Sequence, residues 1–187
     1  MQKIYQEKPL ITKTKIHGCY FLTFDKNIDH RGYFFNIMVR NYFFNKFSAS
    51  SIKQVNIAQN NEKGTLRGLH YQSKPFSESK IVVCLKGAIF DVVLDLRKHS
   101  KTFKQFITVE LNSKKNQLIR IPKNCAHGYQ TLDDDTHLLY LHTENYIKSH
   151  ESGIDPFDEE LGINWPLNKK ILSKKDRNLK KLCEYEL

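Results

Sequence analysis

The chain has 187 residues and a formal net charge of +10, with 40% hydrophobic and 27% charged residues. That length carries a core without disulfide or metal staples, and the balance of apolar and charged residues excludes wholesale disorder. No run approaches the ~18 apolar residues of a membrane helix and Met1-Gln2-Lys3-Ile4-Tyr5 opens no signal core, so a cytoplasmic chain with no membrane partner is expected.

Taken in chain order, Arg40 to Phe47 has the pattern of a short helix. From Lys80 to Leu96 the sequence reads as two β-rich strands broken by a turn at Lys86-Gly87. Further strands are expected over Phe103 to Leu111, Asn116 to Ile121 and Thr136 to Thr143. A helix is expected over Ser173 to Glu184, with Ser173 as N-cap and Asp176 in its first turn. Strands following at intervals of roughly ten residues, with polar or Gly/Pro/Asn connections, indicate an all-β sandwich or barrel rather than βαβ units. One domain spanning 1–187 with short peripheral helices is expected, since no repeat or low-complexity linker interrupts it.

Cys19, Cys84, Cys125 and Cys183 are widely separated and form no Cys-x-x-Cys pair, so neither a zinc knuckle nor a redox dithiol is indicated. They read as reduced thiols, three of them buried. The positive charge invites a nucleic-acid reading, but the lysines are dispersed. The densest group, Lys169, Lys170, Lys174, Lys175, Lys180 and Lys181, lies in a polar C-terminal stretch, so a solvated face is expected and no nucleic-acid partner. A small anion such as a nucleotide diphosphate would equally be drawn to a basic mouth.

Two segments have the residue types for chemistry. Gly64-Thr65-Leu66-Arg67-Gly68-Leu69-His70-Tyr71-Gln72 sets a histidine on a short strand, where a structural and a catalytic role are equally open. Ile121-Pro122-Lys123-Asn124-Cys125-Ala126-His127-Gly128-Tyr129 delivers a second histidine through a Pro-led turn. Together they indicate a double-stranded β-helix, the cupin-type jelly roll. Metal sites in such barrels want two imidazoles and a carboxylate at short spacing. Near His70 there is no His-x-His pair and no glutamate in register, so no metal is expected.

Asp29-His30-Arg31-Gly32-Tyr33-Phe34, Gln54-Val55-Asn56, the 64–72 segment, Lys80, Asp91 to Arg97, Ile121 to Tyr129, Tyr140, Tyr146, Gly162-Ile163-Asn164-Trp165-Pro166 and Leu172-Ser173-Lys174-Lys175-Asp176 occur in this order. The series resembles the dTDP-4-dehydrorhamnose 3,5-epimerase family over nearly the whole chain. The resemblance implies a homodimeric jelly roll with no metal or organic cofactor. It also implies an isomerase that inverts C3, C5 or both in a nucleotide-linked 4-keto-6-deoxysugar, supplying a deoxysugar for a surface polysaccharide or glycoside.

It further implies roles. A ketone at C4 acidifies the C3 and C5 hydrogens, so inversion needs a base, a group that holds the enolate charge, and an acid on the opposite face. His70 matches the base, Asp176 its carboxylate partner, Lys80 the enolate-holding cation and Tyr140 the proton donor. Tyr146 matches a ring that stacks on the nucleobase. Arg31 and Arg67 match diphosphate contacts, Gln54 and Asn56 nucleotide contacts, and His127 a histidine of the sugar pocket, with Glu151 and Lys175 as weaker matches. From the residues alone each has a plain alternative: Asp176 as a first-turn carboxylate, Lys80 as a solvated strand end, Tyr140 and Tyr146 as packing aromatics, and Arg67 as a partner of Glu62 or Asp91.

The pattern departs from the family in places. Asn36 stands where the family commonly has a glutamate at the thymine end, and an amide offers a donor that a carboxylate lacks, so another nucleobase or a GDP-linked heptose is an alternative substrate. Asn124-Cys125 replaces a common Gly-Phe, and Asp155-Pro156-Phe157-Asp158 replaces a Trp-containing loop, changes expected near the pocket rim. A cupin-like binding module without turnover and a metal-dependent cupin enzyme are the rival classes.

Overall fold

The computed structural model describes residues 9–38 and 51–185. Thirteen strands are present among them: β1 Leu10–Lys13, β2 Tyr20–Thr23, β3 Asn27–Asp29, β4 Gly32–Phe34, β5 Gln54–Asn60, β6 Leu66–Gln72, β7 Lys80–Lys86, β8 Ala88–Asp95, β9 Phe106–Asn112, β10 Gln117–Ile121, β11 Cys125–Thr131, β12 Thr136–His142 and β13 Glu151–Gly153. They form a six-stranded sheet ordered β1-β2-β10-β7-β12-β5, a five-stranded sheet ordered β13-β6-β11-β8-β9, and the separate hairpin β3-β4. The pairings within these sheets are antiparallel.

The core lies between the two large sheets. Val82, Cys84, Ile119, Ile121 and Leu138 from one meet Ile89, Val93, Leu111, Cys125 and Tyr129 from the other. The intervening residues are buried as well. Ile81, Val83, Leu118 and Leu141 pack on the outer face of the six-stranded sheet with Leu22 and Phe24. Val92, Leu94 and Ala126 pack on the outer face of the five-stranded sheet with Ile154, Leu161, Trp165 and Leu182. Burial on both faces explains why β7 and β8 read as continuous apolar runs rather than as alternating ones. Between them Gly87, with φ +76°, makes the corner where the chain passes from one sheet to the other, and a Cβ there would meet Thr136 Oγ1 at 2.5 Å.

The strands expected over 80–96, 103–111, 116–121 and 136–143 are all present, with ends moved by at most a few residues. β9 starts late because Lys104, with φ 62°, turns its amide back to Asp95 O at 2.8 Å. The helix expected over 40–47 lies outside the described residues.

The helix expected over Ser173 to Glu184 does not form. Two single 3-10 turns, Asp176–Asn178 and Leu182–Glu184, stand in its place. The N-terminal signal was locally correct, since Ser173 Oγ accepts the Asp176 amide at 3.0 Å. Helix propagation then loses to a tertiary demand: Leu179 is extended (ψ 150°), Lys180 bridges Ile154, and Leu182 N donates to Asp158 Oδ2 at 2.5 Å. The segment is thereby laid along β6. Its other anchor is Ile171, which exchanges backbone hydrogen bonds with Leu66 and Gly64 at 2.8 and 2.9 Å. Those anchors carry Asp176 to His70.

Candidate active site

Arg67 and His70 are three residues apart on β6, a spacing that in a regular strand turns side chains to opposite faces. The register against β11 resolves this. His70 pairs with His127 and Arg67 with Tyr129, so three steps on β6 match two on β11, and the extra residue brings both side chains to one cavity. The backbones approach closely at the irregularity. A Cβ on Gly68 would lie 2.5 Å from Gly128 Cα and 2.7 Å from His127 O, and Gly68 has φ +115°. Glycine is required at 68 by both contact and conformation.

The cavity, about 560 Å³, opens between the two sheets. On the five-stranded side, His70 Nε2 lies 2.5 Å from Asp176 Oδ1, with side chains 26% and 5% exposed. Ser173 Oγ donates to the other Asp176 oxygen at 2.8 Å. Burial raises the Asp176 carboxyl, but the bonds from His70 and Ser173 and the nearby Lys175 outweigh it and hold the carboxyl below its ordinary value. An ionised Asp176 requires the proton on Nε2 and leaves Nδ1 as the basic nitrogen. Deeper, His127 Nε2 is 2.6 Å from Asp91 Oδ1, both fully buried.

On the six-stranded side the register aligns Gln54, His142 and Lys80 in one row, and Asn56, Tyr140 and Val82 in the next row on the same face. Tyr140 stands edge-on to His127, with ring centroids 6.1 Å apart. Burial is the chief reason its hydroxyl is pushed well above the usual phenol range, so it remains protonated. The Lys80 ammonium is 3.3 Å from Glu78 Oε1, with side chains 8% and 9% exposed. At the mouth, the Tyr146 amide donates to Gln54 Oε1 at 2.8 Å and its hydroxyl to Glu151 Oε2 at 2.5 Å, and Lys175 pairs with Glu151.

Of the residues expected from the sequence, His70, Lys80, Tyr140, Gln54, Asn56, Arg67, His127, Tyr146 and Glu151 line this cavity, while Asp176 and Lys175 do not line it but pair with His70 and Glu151, which do. Arg31 and Asn36 do not line it. Arg31 is exposed on the β3-β4 hairpin and paired with Asp29 at 2.6 Å, and Asn36 follows β4. Arg67 bonds to Asn60 Oδ1 at 2.8 Å, not to Glu62 or Asp91, which pair with Lys169 and His127. The changes at Asn124-Cys125 and 155–158 are not at this rim. Cys125 is core, Asn124 takes φ 58° in the turn before β11, and Asp158 accepts the Leu182 amide. Glu78, Tyr129 and His142 line the cavity and were not singled out from the sequence.

A larger cavity, about 1150 Å³, is lined by Lys15, Lys74, Arg97, Lys98 and Lys101 but by none of the histidine–carboxylate pairs, so the chemistry belongs to the smaller one. Among the described residues no three His, Cys, Asp or Glu side chains converge as a metal would need.

A carboxylate-backed histidine, a protonated phenol and a buried ammonium around one cavity in an antiparallel β-sandwich define a protein built for acid–base chemistry on an anion-forming substrate. The sequence profile of the dTDP-4-dehydrorhamnose 3,5-epimerases matches residues 13–184. The dTDP-4-dehydrorhamnose 3,5-epimerase of Methanothermobacter thermautotrophicus is 37% identical over 182 residues, 92% of this chain and 94% of that one. The crystal structure of the Bacillus anthracis enzyme of that name, with TDP and PPi bound, is 36% identical with a TM-score of 0.89 over 92% of this chain and 99% of that one. The Legionella pneumophila dTDP-6-deoxy-D-glucose-3,5-epimerase in complex with dTDP-4-keto-L-rhamnose is 32% identical, with a TM-score of 0.90 over 95% and 94%. The chain belongs to the dTDP-4-dehydrorhamnose 3,5-epimerase family.

Proposed function

We propose that the chain is an isomerase that inverts C3 and C5 of a dTDP-linked 4-keto-6-deoxysugar by proton removal beside the ketone and return from the opposite face, without a metal or organic cofactor. The observation that carries this reading is the placement of His70–Asp176 and Tyr140 on opposing sheets of one cavity, with Lys80 beside them. Nδ1 of His70 takes the proton, and Asp176 stabilises the imidazolium that results. A positioned base gives about 10²–10⁴-fold, so the enolate oxygen also needs a donor, worth about 3 kcal/mol in comparable sites. Lys80, almost buried, is that donor. Tyr140 returns the proton. His127, fixed by Asp91, shapes the sugar pocket.

Tyr146, Gln54 and Asn56 at the mouth suit the nucleotide, with Glu151 and Lys175 fixing the Tyr146 wall, and Arg67 suits the diphosphate. The TDP bound to one crystallised relative and the dTDP-4-keto-L-rhamnose bound to the other support the thymine nucleotide. The strand order supports a single double-stranded β-helix domain across 1–187: β5-β12-β7-β10 faces β6-β11-β8-β9, and successive strands mostly alternate between the sheets.

A homodimer completes the reading. β5 is the edge of its sheet, with Val55 and Ile57 55% and 67% exposed, and the detached hairpin shows Ile28, Tyr33 and Phe34. Covering the edge with a second copy's hairpin would carry Arg31 and Asn36 to a neighbouring cavity. No helix among the described residues is long and apolar enough to cross a membrane, and a cytoplasmic enzyme with no nucleic-acid partner is the reading we adopt.

The test is a panel of dTDP-, UDP-, GDP- and CDP-linked 4-keto-6-deoxysugars in D₂O, followed by NMR. Deuterium at C3 and C5 of the dTDP sugar is expected. Exchange with none of them would sink the assignment, and a preference for GDP would relocate the nucleobase.

A further inference from the structure

The epimerase reading uses Lys80 and Tyr140 but leaves unexplained how two such groups are held. Lys80 is a flexible side chain with many rotamers to lose, and a single ammonium away from water needs a counter-charge. Both needs meet at a residue outside the roles assigned so far. Glu78, just before β7, puts Oε1 3.3 Å from the Lys80 ammonium and Oε2 2.6 Å from His142 Nδ1. The His142 ring in turn lies nearly parallel to that of Tyr140, at 13° with centroids 5.7 Å apart.

The backbone around Glu78 is clamped. Ser79 and Thr143 exchange four hydrogen bonds: Ser79 N to Thr143 Oγ1 at 2.9 Å, Thr143 N and Oγ1 to Ser79 O at 3.0 Å each, and one between the two hydroxyls at 3.3 Å. That ties the residue after Glu78 to the residue after His142. Burial raises the Glu78 carboxyl, yet Lys80 and His142 outweigh it and hold the carboxyl below its ordinary value, so it stays an anion. Its charge is divided between two donors. The ammonium is therefore oriented without being neutralised by a private partner.

We propose that Glu78 is a positioning residue of this site: one buried carboxylate aims the Lys80 ammonium into the cavity and holds the His142 ring flat against Tyr140. Enolate stabilisation and reprotonation are then prepared by one rigid unit on the six-stranded sheet, facing the His70–Asp176 pair on the other. The inference rests on the epimerase reading. It adds to it that the two groups on this side fail together when their common anchor is lost.

The experiment compares wild type, Glu78→Gln, Glu78→Asp and His142→Phe on a dTDP-linked 4-keto-6-deoxyglucose in D₂O, with dTDP affinity as a check on the folded site. Glu78→Gln is expected to lower kcat for exchange about 10- to 100-fold while KM and the dTDP Kd stay within about 3-fold, because the contact matters most as enolate charge develops. Glu78→Asp, which keeps the charge, recovers part of the loss. His142→Phe keeps a ring on Tyr140 but drops the bond to Glu78, and should slow exchange less than Glu78→Gln does while raising the share of deuterium returned without inversion. Wild-type kcat in Glu78→Gln, or a loss confined to KM and dTDP affinity, overturns the assignment. No exchange by the wild type overturns the epimerase reading and this assignment with it.

Discussion

Asp176 is 106 residues from His70 in sequence yet 2.5 Å from it in the fold. A neutral amide in its place would no longer fix the proton on Nε2. Asp176→Asn is expected to lower the exchange rate by about 10²–10⁴ with a much smaller change in KM, measured by initial rates in D₂O. Tyr140→Phe removes the acid and keeps the base, so deuterium should still enter while inversion falls behind exchange. NMR of recovered substrate and product separates the two. His70 stands out in its own segment, 64–72, whereas Lys80 and Tyr140 stand out only through the resemblance of the whole series. Glu78 and His142 were not, because their contact depends on the row Gln54–His142–Lys80, which exists only once three strands are in register.

The element that matters most for the site is β6, and its irregularity was visible only as the letters Arg-Gly-Leu-His. Gly68→Ala would drive a Cβ into Gly128 at 2.5 Å. The expected cost is about 3 kcal/mol or more, read as a fall in urea midpoint together with lost activity. The β8–β9 connection gives a pH-dependent prediction. Asp95, with no exposed side-chain surface, accepts bonds from Arg97, Ser100 and Thr102. Burial raises its carboxyl, but these bonds outweigh burial and lower it to about 2. The unfolded chain, with the group near about 3.9, binds more protons between these values. This contribution is therefore complete above about pH 5 and is lost as pH falls toward about 2 and below, amounting to about 3 kcal/mol at most. Urea midpoints from pH 5 to 2.5 should fall steeply in wild type and less in Asp95→Asn. At 173–184 local reading failed for a physical reason: the cap signal at Ser173 is real, but the bridge of Lys180 to Ile154 outweighs the few tenths of a kcal/mol per residue that favour a helix.

For the molecule as a whole, strand spacing was enough to reach an all-β fold, because short β-rich runs between turns leave few other solutions. It could not reveal which strand is left bare. β5 alternates Gln-Val-Asn-Ile, an ordinary half-exposed pattern, and only the sheet order makes it an edge with Val55 and Ile57 outward. The proposed dimer predicts that sedimentation gives twice the chain mass of 22.0 kDa. Ile57→Lys should shift it toward the monomer and lower activity as well, whereas a monomeric wild type of full activity would remove the dimer from the account.

The central claim is that His70 removes the protons next to the ketone. Its most direct test is solvent deuterium entry at C3 and C5 of a dTDP-linked 4-keto-6-deoxyglucose, wild type beside His70→Ala at equal concentration of folded protein. The account requires rapid entry with wild type and none above the uncatalysed rate with His70→Ala; undiminished exchange in the variant would contradict it.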